Sequence, residues 1–298
     1  MRPVLSIIGA GRVGRALARK LRERGWKIAA VVARSEANAR RAVRFIGAGQ
    51  AQAGISSRVL TAHVMLVATP DSAVGKVAAE LAAVGAAELR GKVVLHTSGP
   101  LSASVLAPLQ QHGAAVGSIH PLQTFTGIGL PALEGRIFTI DGDSAAVRIA
   151  RQMARDLDGL PVRISGAAKA AYHAAATMAC GQILAVVEAA TRILMSIGMK
   201  RREAVRALTP LTRQMLQNFE RLGPKAAWTG ALSRGDYGVI EAHLLALKKF
   251  PPEYSEAYDA LNNLAARVLA QDPSEILAQL GRIRRDTIPK LRATGGQG

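Results

Sequence analysis

A chain of 298 residues, 49% of them hydrophobic, has the length of about two domains and enough apolar material to fill a core in each. Its single cysteine, Cys180, excludes an intrachain disulfide and a cysteine-based metal cluster and fits a reducing compartment, and no other metal-ligand spacing occurs. The formal net charge of +18 suits an anionic partner, but the scattered basic residues, an aromatic content of 4% and the lack of a recognised module argue against nucleic acid.

No apolar run approaches the roughly 20 residues needed to cross a bilayer, and the first apolar run is too short and glycine-broken for a signal peptide. The expectation is a soluble, cytoplasmic protein without membrane attachment. In chain order, residues 4–8 form an apolar run that breaks into Gly9-Ala10-Gly11-Arg12-Val13-Gly14 and continues as a helical pattern over 15–21. This reads as strand, tight turn and helix. Gly9 allows the turn, Gly11 leaves bare backbone for a pyrophosphate, and Gly14 lets the helix lie close on the strand. The helix N-terminus favours the phosphates through its free N–H groups.

Residues 27–33 read as a second strand ending at Arg34 and Ser35. An NAD site places an acidic residue at this point, whereas cationic and hydroxyl donors suit the 2′-phosphate of NADP. The alternative is that Ser35 only caps the helix beginning at Glu36 and Arg34 is solvated. Residues 47–62 are rich in Gly and Ala and place no third strand. A buried strand over 63–68 ends in Thr69-Pro70-Asp71 and precedes a helix over 72–84. The next strand, 91–95, leads into His96-Thr97-Ser98-Gly99, a short helix follows over 103–112, and the strand at 114–119 ends in His120-Pro121-Leu122-Gln123.

In an open parallel sheet ligands bind beyond the carboxyl ends of the strands, so the glycine turn, Arg34, Thr69 to Asp71, Ser98 and His120 belong to one edge. Strands at 135–140 and 161–164 flank a helix at 144–157, after which the chain reads as helical. An uninterrupted helix is expected over 167–197, with others over 201–222, 237–247, 252–270 and 273–285, and disorder over 294–298. The expected fold class is α/β, a Rossmann doubly wound sheet over 1–164 followed by an all-α domain over 165–298. Lys169 and His173, spaced i and i+4, share a helix face that points back at the crevice. Together they can hold an oxyanion and supply a proton as hydride moves at an adjacent carbon.

Six stretches now give the chain a resemblance that runs almost end to end: Gly9 to Gly14, Ala68 to Asp71, His96 to Gly99, Ser118 to Phe125, Lys169 to Ala176 and Leu232 to Asp236. They resemble the bacterial Rossmann-like proteins whose C-terminal domain has no known function. More distantly the layout is similar to the 6-phosphogluconate and 3-hydroxyisobutyrate dehydrogenases, deazaflavin-dependent NADP oxidoreductase and pyrroline-5-carboxylate reductase. The resemblance implies NADP as cofactor, a 6-phosphogluconate dehydrogenase C-terminal-like helical domain, and a homodimer formed through it. It also implies a catalytic pair at Lys169 and His173, although the hydroxyacid dehydrogenases carry an amide residue where this chain has His173. Cys180 and Gly181 stand where relatives tend to carry a serine and an asparagine, and Cys180 on an apolar helix is expected to be a small buried hydrophobe.

Two functions follow as expectations. The first is an NADP-dependent oxidoreductase acting on a small anionic carbonyl, hydroxyl or imine compound, with Lys169, His173, His120 and Ser98 at the chemistry. Its cofactor site comprises Gly9, Ala10, Gly11, Arg12, Val13, Gly14, Arg34, Ser35, Ala68, Thr69 and Pro70. The alternative is a non-catalytic NADP-binding sensor or scaffold.

Overall fold

The computed structural model describes residues 2–287, so the tail at 294–298 lies outside the described residues. The chain forms two compact units divided between Cys180 and Gly181. The first contains β1 (Leu5–Ile8), α1 (Arg12–Glu23), β2 (Ile28–Ala33), α2 (Glu36–Ile46), β3 (Gln50–Ala53), β4 (Val64–Val67), α3 (Asp71–Gly85) and β5 (Val93–His96). It continues through α4 (Ala107–Gln110), β6 (Ala115–Pro121), β7 (Ile137–Gly142), α5 (Ser144–Asp156), β8 (Leu160–Arg163) and α6 (Lys169–Thr177).

The eight strands form one sheet in the order β3-β2-β1-β4-β5-β6-β7-β8. The first six run parallel, β7 runs antiparallel to β6, and β8 is parallel to β7. The carboxyl ends of β1, β2, β4, β5 and β6 therefore lie along one edge. Strand β3, which the sequence pattern does not reveal, is the edge strand Gln50-Ala51-Gln52-Ala53 and needs little apolar surface of its own.

Alternation of side chains across each strand divides the core. Leu5, Ile7, Val31, Leu66, Leu95 and Ile119 face α1, α2 and α5. Ile8, Val32, Val67, Val94 and Val116 face α3 and α4. Continuing the second set along β5, β6 and β7 gives His96, Ser118, His120, Thr139 and Asp141. That face turns polar at one end, and its His96, Ser118 and Thr139 are nonetheless buried.

The second unit holds α7 (Ile183–Ser196), α8 (Arg201–Ala227), α9 (Tyr237–Leu247), α10 (Pro252–Leu269) and α11 (Pro273–Thr287). Its core brings together Leu232, Ile240, Leu244, Ala266, Leu280 and Ile283. Helix α8 is broken at Gly223, which adopts φ 78° immediately before Pro224. The pairing of left-handed glycine with a residue that cannot continue the helical hydrogen bonds accounts for the break.

Four expectations require correction. The helix expected to run without interruption over 167–197 is α6, a π-helical turn at Met178–Gln182, then α7. The first unit also extends past residue 164, because α6 is fastened to the sheet. Cys180 is exposed in the π turn rather than buried. Moreover, the helical run Gly166–Ser196 is long and apolar enough to cross a membrane by length and composition, with only 6% of its most apolar window buried.

One contact ties the start of the chain to the last helix of the sheet layer. Asp156, at the end of α5, accepts from the Trp26 indole at 2.8 Å and from both sides of the Arg2 guanidinium at 3.0 and 3.1 Å. Trp26 is 1% exposed, so Asp156→Ala strands an indole N–H away from water. The expected cost is about 1–3 kcal/mol of stability, read as a lower urea midpoint with an unchanged slope.

Candidate functional site

The site begins where β1 ends. Gly9 has φ 99°, and a Cβ there would lie 2.6 Å from the carbonyl carbon and oxygen of Ala68. A Cβ at Gly14 would collide with the Gly9 carbonyl oxygen, whereas one at Gly11 would meet nothing within 4 Å. Gly9 thus supplies the turn, Gly14 the close packing, and Gly11 open space at the start of α1. Gly11 caps α1 without any side-chain hydrogen bond, leaving the first-turn N–H groups of Arg12, Val13 and Gly14 for an anion.

Arg34 follows the end of β2, is exposed, and makes no ion pair among the described residues. Ser35 caps α2, its Oγ accepting from the Asn38 N–H at 3.4 Å. Across the turn, Thr69 carries a buried hydroxyl with no hydrogen-bond partner, and Pro70 caps α3. These residues fit a dinucleotide on three grounds: an open cradle at Gly11, an unpartnered hydroxyl at Thr69, and an unpaired guanidinium at the end of β2.

The second cluster arises from two matched spacings. Ser118 and His120 are two apart on β6 and share a face, while Lys169 and Tyr172 are three apart on α6 and share a face. Lys169 Nζ donates to Ser118 Oγ at 3.0 Å and to the Ser98 carbonyl at 3.2 Å. One helical turn further, the Tyr172 hydroxyl and His120 Nδ1 are hydrogen-bonded at 2.9 Å. The rings of His120 and His173 meet edge to face with centroids 5.8 Å apart. Both Nε2 atoms lie 3.0 Å from the point that a Cβ of residue 99 would occupy, where that Cβ would also collide with His173 Cδ2. Gly99 is therefore what lets the two imidazoles approach β5.

The structure brings His120, His173 and Lys169 together, yet Lys169 is 0% exposed and its ammonium is engaged with Ser98 and Ser118. The Ser98 hydroxyl is occupied too, accepting from the Leu101 N–H at 3.2 Å. Tyr172 joins this cluster without being singled out in the sequence, because its partner His120 lies 52 residues away.

Burial pushes the His120 imidazole down to about 4, with Lys169 and then His173 adding repulsion. Burial also lowers the Lys169 ammonium to about 8, against the opposing pull of Asp141 and Asp71. His96 is lowered to about 4 by burial first and Lys169 second. Its Nδ1 accepts from the Ser98 N–H at 3.2 Å, so Nε2 carries the hydrogen and donates to the Ser102 carbonyl at 3.1 Å. His96 is a neutral structural histidine that shapes the turn around Ser98.

Residues 1–121 match the Rossmann-like domain family, and residues 136–265 match the domain of unknown function DUF2520. The chain is a Rossmann-like domain followed by a DUF2520 domain. The DUF2520 match includes β7, α5, β8 and α6, so Lys169, Tyr172 and His173 belong to it while Ser98, Gly99, Ser118 and His120 belong to the Rossmann-like match. Among solved structures, BF3122 from Bacteroides fragilis is 22% identical with a TM-score of 0.71, over 88% of this chain and 97% of that one. Protein TM1727 from Thermotoga maritima is 25% identical with a TM-score of 0.67, over 89% and 98%. A reductive aminase from Aspergillus terreus, in complex with NADPH4, cyclohexanone and allyl amine, is 17% identical with a TM-score of 0.66, over 95% and 100%. No curated protein sequence matches the chain. These likenesses show a shared fold.

His96 gives the domain an acid sensitivity of calculable sign. Its folded value of about 4 lies below the ordinary 6.5, so the unfolded chain takes up the proton first as pH falls. Stability is lost between those two values, by up to about 3 kcal/mol for this residue. Urea unfolding at pH 7, 5.5 and 4.5 is expected to show the decline, and His96→Gln to make it shallower; an unchanged slope contradicts the assignment.

Proposed function

We propose that this DUF2520 protein is an NADP-dependent oxidoreductase that moves a hydride between NADP(H) and a small anionic carbonyl, hydroxyl or imine compound. The observation that carries the reading is the pair of imidazoles around Gly99, at the same strand edge as a glycine turn open for a pyrophosphate. Gly9, Ala10, Gly11, Arg12, Val13 and Gly14 hold the pyrophosphate. Arg34 and Ser35 take the 2′-phosphate, with Ala68, Thr69 and Pro70 walling the dinucleotide opposite. The NADPH-type ligand of the Aspergillus terreus reductive aminase supports the choice of cofactor on this fold. When bound, the reduced nicotinamide supplies the hydride.

On the chain's side, the imidazoles of His120 and His173 lie together beside Gly99, and His120 Nε2, which makes no hydrogen bond among the described residues, can orient and protonate an oxygen. Lys169 holds a positive charge behind them, and Ser98 positions it through its carbonyl. Charge growing on a carbonyl oxygen is stabilised by this arrangement. The net charge of +18 favours an anionic substrate for the same reason. The competing reading is a non-catalytic NADP sensor, favoured by the complete burial of Lys169.

Cofactor titration followed by turnover separates the two. NADPH is expected to bind at least tenfold more tightly than NADH, about 1.4 kcal/mol, through charge-assisted contacts to the 2′-phosphate. Arg34→Asp is expected to abolish or reverse that preference. Equal affinities overturn the NADP assignment, and tight NADPH binding without oxidation by any carbonyl acid favours the sensor.

Assembly as a homodimer through the helical domain is part of the same proposal. Leu184, Ile197, Leu211, Phe219 and Leu222, on and beside α7 and α8, are 54–72% exposed. A surface of that kind is costly to leave in water, and a second copy with the same surface covers it. Sedimentation at micromolar concentration is expected to give a dimer; a monomer overturns this, as does recovery of the protein with lipid vesicles.

A further inference from the structure

Resting on the oxidoreductase reading, we propose that Tyr172 is a positioning residue that fixes the tautomer of His120 and passes it a proton, making His120 rather than Lys169 the proton donor to the substrate oxygen. Three observations support this. The Tyr172 hydroxyl is 2.9 Å from His120 Nδ1, and the two rings meet edge to face at 82° with centroids 5.6 Å apart. His120 Nε2, on the other side of the same ring, makes no hydrogen bond among the described residues, so it is the nitrogen left for a ligand. Lys169 is wholly buried, and its ammonium is engaged by Ser98 and Ser118.

The direction of the hydrogen bond follows from chemistry. An imidazole nitrogen is a better acceptor than a phenol oxygen, whose lone pair is delocalised into the ring, so the phenol donates to Nδ1. The hydrogen of the neutral imidazole then resides on Nε2, facing Gly99. The charged groups bearing on His120 are Lys169 and His173 from α6, Asp71 from α3 and His96 from β5. Among them Lys169 acts most strongly and disfavours an imidazolium, which leaves a neutral ring as the form that must donate.

The step balances without a charged histidine. Hydride from a reduced nicotinamide adds to the carbonyl carbon, and the electron pair of the C=O π bond moves onto oxygen. That oxygen takes the proton from His120 Nε2, while the Tyr172 hydroxyl proton moves to Nδ1. The resulting phenolate belongs to a half-buried residue and regains a proton from water. In the alcohol-to-carbonyl direction the same atoms move in reverse.

The first test needs no substrate. Nitrogen-15 NMR of the full protein with labelled histidine is expected to show His120 protonated on Nε2 and unprotonated on Nδ1, and Tyr172→Phe to shift it toward a mixture of tautomers. An Nδ1–H form in the parent protein, or an unchanged tautomer in Tyr172→Phe, overturns the proposal whatever the activity. The second test is kinetic. Tyr172→Phe is expected to lower kcat tenfold to a hundredfold with NADPH affinity unchanged, and to reduce the solvent deuterium isotope effect from a two-proton to a one-proton dependence. In a His120→Gln background the Tyr172→Phe change is expected to have no further effect; additive losses overturn the relay. Absence of NADPH binding is the separate result that removes the oxidoreductase reading, and the tautomer measurement still decides the role of Tyr172.

Discussion

The ammonium of Lys169, buried between β5, β6 and α6, is the constraint on which the rest of the site depends. Taking such a group out of water costs several kcal/mol unless its protons are matched. Here the Ser98 carbonyl and the Ser118 hydroxyl do the matching. Those two bonds fix the height and rotation of α6 against β6. With the helix placed, Tyr172 one turn on must meet His120 two residues on, and His173 turns beside it. A shift of one residue in either element separates both pairs at once, because strand and helix side chains repeat with different periods.

The same buried charge sets the chemistry of its neighbours. Burial chiefly lowers the proton affinity of His96 and His120, and this charge adds to the effect, so both rings remain neutral at ordinary pH. A neutral imidazole is both donor and acceptor, and which nitrogen plays which part is decided by the group bound to the other. For His96 that group is the Ser98 N–H, and for His120 it is Tyr172. One histidine is spent on folding the turn and the other keeps a nitrogen free, although the two residues occupy similar places at the ends of adjacent parallel strands.

Much of this is legible in sequence and some of it is not. The glycine turn, the strand-end positions and the Lys169 and His173 pair follow from local pattern, because each depends on residues close together in the chain. The different tasks of Gly9, Gly11 and Gly14 can even be assigned individually. The roles of His96 and Ser98 cannot, since whether a strand-end residue faces ligand or fills a turn depends on a partner far away in sequence. Tyr172 is hidden for the same reason: nothing at residue 172 indicates that His120 stands opposite. The polar end of one sheet face, Ser118, Thr139 and Asp141, is visible as alternation within β6 and β7 only after the strands are known to be neighbours.

The interruption after α6 shows how a local irregularity escapes a periodic reading. Met178-Ala179-Cys180-Gly181-Gln182 contains no proline and only one glycine, so the pattern continues through it as apparent helix. A π turn adds one residue to a helical turn, and one residue is about 100° of rotation in an α-helix. The π hydrogen bonding is a backbone feature, and a run rich in Ala and Leu offers no contrast between side chains by which the sequence could reveal it.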